Sequence, residues 1–274
     1  MARVRRVAQT RRAGHTGTLD PLATGVLVLC LGRATRLIPY IEEMGGIEAK
    51  EYEARIRFGF ETTTDDAEGD PRGQSSSTSA LTEGIISVAL AAFVGEIQQI
   101  PPTFSAKKVA GERAYAVARR GEDVDLKPVA VHIGAAELVK LEGDVALVRL
   151  ACARGTYIRA LARDLGRSLG VGAHLVALRR TRSGAATLDR AVRLDDLTPE
   201  SLPKALVPMA FVLEAWPSVT AGEREAADLR LGRAVSLGRG TEGRRTRVRI
   251  CDLEGRLVAL AHAEGSRMQP FCVF

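Results

Sequence analysis

One acidic side chain stands out by its setting. Asp20 lies in the segment GHTGTLDPLATGVL, residues 14–27, where Gly, Thr and Pro are packed directly against an apolar run. A loop of that kind holds a carboxylate firmly at the mouth of a buried strand. A carboxylate is ionised at neutral pH without a helper base and is competent as a nucleophile. The plainer reading gives Asp20 only the task of turning the chain ahead of Pro21. No Gly-Lys-Ser/Thr follows, so the segment is not a phosphate-cradling Walker loop. Glycosidase chemistry would want a second carboxylate about 5 to 9.5 Å away, and the sequence offers no obvious one. Aromatic residues make up only 4% of the chain, so Tyr52 and Tyr157, two of its four tyrosines, each need an explanation. Tyr52 sits on the apolar side of an alternating segment and reads as a core or sheet-face aromatic. Arg159 and the adjacent Lys107 and Lys108 read, by spacing alone, as solvated charge.

The elements that must position these residues are a mixture of α and β. In EYEARIRFGF, residues 51–60, Tyr52, Ala54, Ile56, Phe58 and Phe60 face one way while Glu51, Glu53, Arg55 and Arg57 face the other. That alternation predicts a half-buried antiparallel strand. Residues 61–80 hold Asp, Gly, Pro and Ser without periodicity and predict a long exposed loop. Thr82 is placed to cap a helix reaching about Val94. In GTYIRALARDLGRSLG, the residues Ile158, Leu161, Ala162, Leu165 and Leu169 recur at helical spacing. Thr156 is the expected N-cap there, with Tyr157 in the first turn and Gly166 and Gly170 near the end. VALVRLAC before this helix and AHLVALRRTRS after it predict strands. Pro203, Pro208 and Pro217 interrupt an apolar stretch and mark a boundary. Beyond it, RVRICDLEGRLVALAHAE reads as two strands about a Glu254-Gly255 turn, a hairpin within a small β module.

Composition narrows the class. A chain of 274 residues suits one large domain, or a large one with a small companion. With 46% hydrophobic and 26% charged residues, it excludes wholesale disorder and fibrous repeats. Its formal charge of +6 favours an anionic partner without being a strongly basic signature. Cys30, Cys152, Cys251 and Cys272 are widely spaced and form no CxxC pair, which points to neither a zinc site nor a disulfide framework and fits a reducing cytoplasm. The longest clean apolar run, Val26 to Leu31, falls far short of the roughly 20 residues of a membrane span. The Arg-rich opening MARVRRVAQTRRAGHTG reads as a basic helix in preference to a transit peptide.

The string GHTGTLDPLATGVL resembles the catalytic-aspartate motif of the TruB family of tRNA pseudouridine synthases. GFETTTDDAEGD resembles the family's loop after the first long strand, with Thr62, Thr64, Asp66 and Gly69 in register. PPTFSAKKVAGERAYAVARRG resembles its proline-led RNA-contact segment, and ARGTYIRALARDLG and GAHLVALRRTRSG resemble its two remaining signatures. These motifs occur in order across most of residues 3–195. The resemblance implies an α+β pseudouridine synthase fold with a mixed, largely antiparallel sheet over residues 1–200. A linker over 201–216 and a small PUA-like RNA-binding β domain over 217–274 would follow. Family members begin with a strand and a Lys-Pro turn ahead of the basic helix. Met1 falls inside that helix, so either the true start lies upstream or the first strand is missing, a loss that would expose a sheet edge.

By the same resemblance the chain is an isomerase that needs no cofactor. It would convert the uridine at position 55 in the TΨC loop of tRNA to pseudouridine by base flipping. Asp20 is then the nucleophile, with attack on the ribose carbon or on the base left open. Arg159 would keep Asp20 ionised and oriented. Tyr52 would stack on the target base and take the C5 proton, and Tyr157 would pack from the other side. Leu178, plainly a buried strand residue, would also line the pocket. His15 would help extrude the nucleotide, and Lys108 matches the lysine of the family's SAxK pattern in the RNA-contact segment. The expected partner is the TΨC stem-loop of tRNA, met by a cytoplasmic monomer with no membrane and no obligate protein partner. Two rivals are a tRNA-binding or folding protein without the reaction, and a synthase working in a guide-RNA complex on ribosomal RNA. Relatives of the latter kind carry extended basic tails, which are not seen here.

Overall fold

The computed structural model describes residues 1–44, 46, 49–105, 108–109, 112–113, 120 and 126–274, with backbone alone for 108, 109, 113 and 239–244. Two compact units emerge: one comprises Leu19–Val26 and Gly45–Ser183, the other Met1–Thr18, Leu27–Met44 and Gly184–Phe274.

The first unit is built on a sheet whose strands run side by side in the order Ala173–Ser183, Lys50–Phe58, Val145–Cys152, Val129–Glu142 and Gly95–Gln99, every neighbour antiparallel. Ala23–Gly25 joins the outer side of Ala173–Ser183 as a parallel strand, so the sheet is mixed and largely antiparallel. The alternation read in residues 51–58 is realised. Tyr52, Ala54, Ile56 and Phe58 are buried while Arg55 and Arg57 face solvent. It stops short of Phe60, because Gly59 turns the chain with φ of +112 and the strand ends at Phe58. Helices Glu83–Ala91 and Ile158–Ser168 cover the apolar face, placing Ile86, Leu90, Leu161 and Leu165 in one core with Tyr52, Ile56, Val148 and Leu175. Val145–Cys152 and Ala173–Ser183 both run antiparallel to Lys50–Phe58 and hence parallel to each other. A parallel relation needs a crossover, and the helix between them supplies it. Gly166 lets that helix close on the strand it feeds, because a Cβ there would overlap the Ala173 backbone.

Two boundaries differ from the sequence expectation. The Thr82 cap is present, its Oγ1 accepting from Ile85 N at 3.3 Å, but the helix ends at Ala91 ahead of Gly95, whose φ is +103. The N-cap of the second helix is Tyr157, not Thr156. Thr156 Oγ1 donates instead to Ala153 O at 3.0 Å.

In the second unit, Val235–Cys251 and Leu257–Val273 form the long antiparallel hairpin, with Ser218–Thr220 parallel to the first of them. Helix Glu223–Arg230 packs Ala226 and Leu229 into its core beside Ile250 and Val258. A further cluster joins Leu37, Tyr40 and Ile41 to Leu213, Leu257 and Phe274. The basic opening is helical over Ala2–Val7. Among the described residues, no helix is long and apolar enough to cross a membrane.

Candidate active site

Asp20 begins a tight turn, its carbonyl accepting from Ala23 N at 2.9 Å across Pro21. The turning role and the chemical role coexist, because the carboxylate points into the unit. Arg159 Nε donates to Asp20 Oδ2 at 2.9 Å and Nη2 to Oδ1 at 2.8 Å, a two-point guanidinium–carboxylate pair. The short strand after the turn is fixed by backbone alone. Gly25, with φ of +97, runs so close to Arg180 that a Cβ would overlap the Arg180 carbonyl, and Val26 N donates to that carbonyl at 2.8 Å. The Asp20 turn is thereby stitched to the strand that carries Leu178.

Arg159 is not a solvated helix-face residue. Its side chain is only 6% exposed, against 31% for Asp20, so the cation is desolvated while the carboxylate keeps an open side. A buried guanidinium needs its donors satisfied. Nη1 donates to Thr64 O at 3.1 Å and Nη2 to Phe104 O at 3.0 Å, and Asp66 Oδ2 stands 3.4 Å from Nη1. Asp66 is held in turn. Thr64 Oγ1 donates to its Oδ1 at 2.6 Å, Glu68 N to the same atom at 3.0 Å, and Thr62 Oγ1 to its carbonyl at 2.6 Å. Gly69 closes the knot where a Cβ would overlap Thr64. The expectation of an exposed loop over 61–80 therefore fails at its start: Thr62, Asp65 and Asp66 are buried, and Glu61–Thr62 pairs with Pro71–Arg72. Polar residues entered the interior there because each found a partner, which periodicity does not register.

Tyr52 is 6% exposed and pairs by register with Arg180, itself fully buried with Nε donating to Val26 O at 2.7 Å. Burial pushes the Tyr52 phenol above its ordinary value, the proximity of Cys152 and Asp20 adds to this, and Arg180 opposes it. Tyr157 is half-buried at the helix start, and the buried Gln99 clamps its backbone. Tyr157 N donates to Gln99 Oε1 at 2.8 Å and Gln99 Nε2 donates to Tyr157 O at 3.0 Å. Leu178 is buried in the core, in register with Ala23 and Ala54.

Asp20, Arg159, Tyr52, Tyr157 and Leu178 all belong to the first unit. His15 belongs to the second, on the short strand Ala13–His15 paired with Leu29–Leu31; its Nδ1 is buried and has no hydrogen-bond partner among the described residues. Lys107 lies outside the described residues. Of Lys108 only the backbone is described, paired with Arg113. Sequence reasoning passed over Asp65, Gln99, Arg163 and Arg180. The adjacent acids Asp65-Asp66 and the arginines 159 and 163, four apart on one helix, were the available signal. Gln99 gave none.

The family profile described as "TruB family pseudouridylate synthase (N terminal domain)" matches residues 5–158, and "tRNA pseudouridylate synthase B C-terminal domain" matches residues 159–213. The chain belongs to the TruB family. A TruB-family relative from Arthrobacter sp. (strain FB24), named tRNA pseudouridine synthase B, is 46% identical over 100% of this chain and 91% of its own length. One of the same name from Thermobifida fusca (strain YX) is 44% identical over 100% of this chain and 92% of its own. Among solved structures, a chain from "Structure of H/ACA RNP bound to a substrate RNA containing 2'-deoxyuridine" is similar with a TM-score of 0.72 and 26% identity. That match covers 100% of this chain and 79% of the other. The mixed sheet of this TruB-family chain is therefore the fold of a pseudouridine synthase.

Proposed function

We propose that this chain isomerises uridine to pseudouridine in tRNA, at the TΨC-loop position conventionally numbered 55, with Asp20 as the nucleophile. In that isomerisation the bond from ribose C1′ to N1 breaks and a bond from C1′ to C5 forms. The C5 proton leaves and N1 gains one, so nothing is oxidised or reduced and no cofactor is required. The observation that carries the reading is the partly exposed Asp20 carboxylate held at two points by the buried Arg159. Arg159 holds the carboxylate at two points and so aims it. The open side of Asp20 admits the flipped nucleotide, Tyr52 stacks on its base, and Tyr157 and Leu178 complete the walls. Attack on the ribose carbon and on the base fit this arrangement equally.

The tRNA backbone meets the second unit. Residues 217–274, read as a PUA-like module, contain ten Arg against seven Asp and Glu, a net of +3. Arg12, Arg33, Arg36 and Arg230 line a cleft of about 500 Å³ floored by Val273 and Phe274. Guanidinium groups gathered in this way suit phosphates. His15 aids extrusion of the nucleotide and Lys108 contacts the RNA. The protein works as a monomer in the cytoplasm with no obligate protein partner. Mapping pseudouridine in unmodified tRNA after incubation with the purified protein tests the reading: modification confined to position 55 supports it, and unmodified tRNA refutes it.

A further inference from the structure

Arg163 lies one turn beyond Arg159 on the helix Ile158–Ser168, and both arginines are buried. Each ties the helix to the same two stretches of chain. Arg159 donates to Thr64 O and Phe104 O and faces Asp66. Arg163 Nη1 donates to Asp65 Oδ2 at 2.8 Å and Nη2 to Ile100 O at 2.8 Å, while Nε meets Asp164 Oδ1 at 2.9 Å. Asp65 therefore sits between the two residues that hold Arg159, with its own carboxylate held by the next arginine. Its backbone has φ of +61, a left-handed conformation uncommon for a residue with a side chain, and its carbonyl accepts from Leu175 N at 3.0 Å. A shift of Asp65 moves the Thr64 carbonyl and the Asp66 carboxylate together.

We infer that Arg163 and Asp65 are a positioning pair for catalysis: they fix the Thr64–Asp66 turn and the Ile100–Phe104 stretch, and through both they aim the Arg159 guanidinium at Asp20. Neither touches the reacting atoms. The inference rests on the proposed role of Asp20, which Asp20→Asn tests by itself.

The experiment compares Asp65→Asn, Arg163→Met and the double variant in single-turnover isomerisation of tRNA, tRNA affinity and thermal unfolding. Asn keeps the size of Asp and tolerates the left-handed backbone, and Arg163 retains Asp164 and Ile100 O, so Asp65→Asn folds. A misplacement of about 1 Å away from the chemistry costs roughly 10²-fold, so each single variant should lose about 10- to 100-fold in single-turnover rate. Affinity for tRNA should stay within a factor of about two, because the loss falls on the chemical step. The double variant should be about as slow as Arg163→Met, not slower by the product of the two losses, since both act through one link. A purely structural pair would lower the melting temperature and leave the rate unchanged well below it, and that result overturns the inference. If Arg163→Met fails to fold, Asp65→Asn alone decides: an unchanged rate overturns, a fall of about tenfold or more supports. An inactive Asp20→Asn beside a fully active Asp65→Asn would sink the pair and leave the nucleophile reading standing.

Discussion

Replacing Arg159 by Met keeps most of the side-chain stem and removes the guanidinium. That group makes two charge-assisted bonds to Asp20, at 2.9 and 2.8 Å, and two to backbone carbonyls, and it faces the buried Asp66. Breaking a buried ion pair costs about 3–5 kcal/mol. Asp20 is 31% exposed, so water recovers part of its share and the low end applies to its positioning. About 3 kcal/mol withdrawn from the transition state slows the chemical step by roughly 10²-fold. Asp66, only 4% exposed at its side chain, is left without its cation, and the melting temperature should fall by roughly 5–10 °C. Tritium release from RNA labelled at C5 of the target uridine, with enzyme in excess and well below the melting temperature, reads the chemical step alone. A rate within about threefold of the wild type, less than 1 kcal/mol, would refute the claim that Arg159 acts on Asp20.

Two further outcomes follow from the structure. His174 is buried against Phe60, whose carbonyl its Nδ1 approaches at 3.1 Å; burial holds its pKa below the ordinary 6.5, the carbonyl opposing and Arg57 adding. The neutral ring is the form the fold prefers, so its contribution to stability is present above the unfolded value and is lost as pH falls through the lowered folded value. Denaturant unfolding between pH 7.5 and 5 should therefore show a steeper loss of stability in the wild type than in His174→Phe, and equal slopes would disprove it. In the arginine cleft, Arg33→Gln combined with Arg36→Gln should weaken tRNA binding and flatten its salt dependence by roughly 0.7 to 0.9 per lost phosphate contact, whereas an unchanged slope would remove the cleft from the RNA interface. Point substitutions serve better here than cutting the chain before Pro217, because Leu37, Tyr40 and Ile41 share a core with Leu257 and Phe274.

Apolar rhythm made much of this fold legible. The alternation of Tyr52, Ala54, Ile56 and Phe58, the helical spacing of Ile158, Leu161 and Leu165, and the two runs about Glu254-Gly255 each became the expected element. What escaped was the buried polar layer. Asp65, Asp66, Arg159 and Arg163 are placed by mutual satisfaction of charge and hydrogen bonds, and such partners are far apart in sequence. A pairing between residue 66 and residue 159 has no period to detect. Gln99 is the extreme case: one carboxamide inside the fold clamps the backbone N and O of Tyr157 at a helix start that has no side-chain cap, and nothing around it in the sequence distinguishes it from an ordinary strand residue. Asp20 and Arg159 were identified through motif resemblance, and their 2.8 Å contact supplies the physical ground that spacing alone lacked.

The most direct measurement of the central claim is isomerisation by Asp20→Asn. The amide keeps the size of the side chain and its turn before Pro21, and removes only the charged nucleophile. Tritium release from C5-labelled uridine in tRNA should fall to background, while tRNA affinity stays within a few-fold of the wild type because binding energy resides elsewhere. Substantial release by Asp20→Asn would contradict the assignment and place the nucleophile on another group.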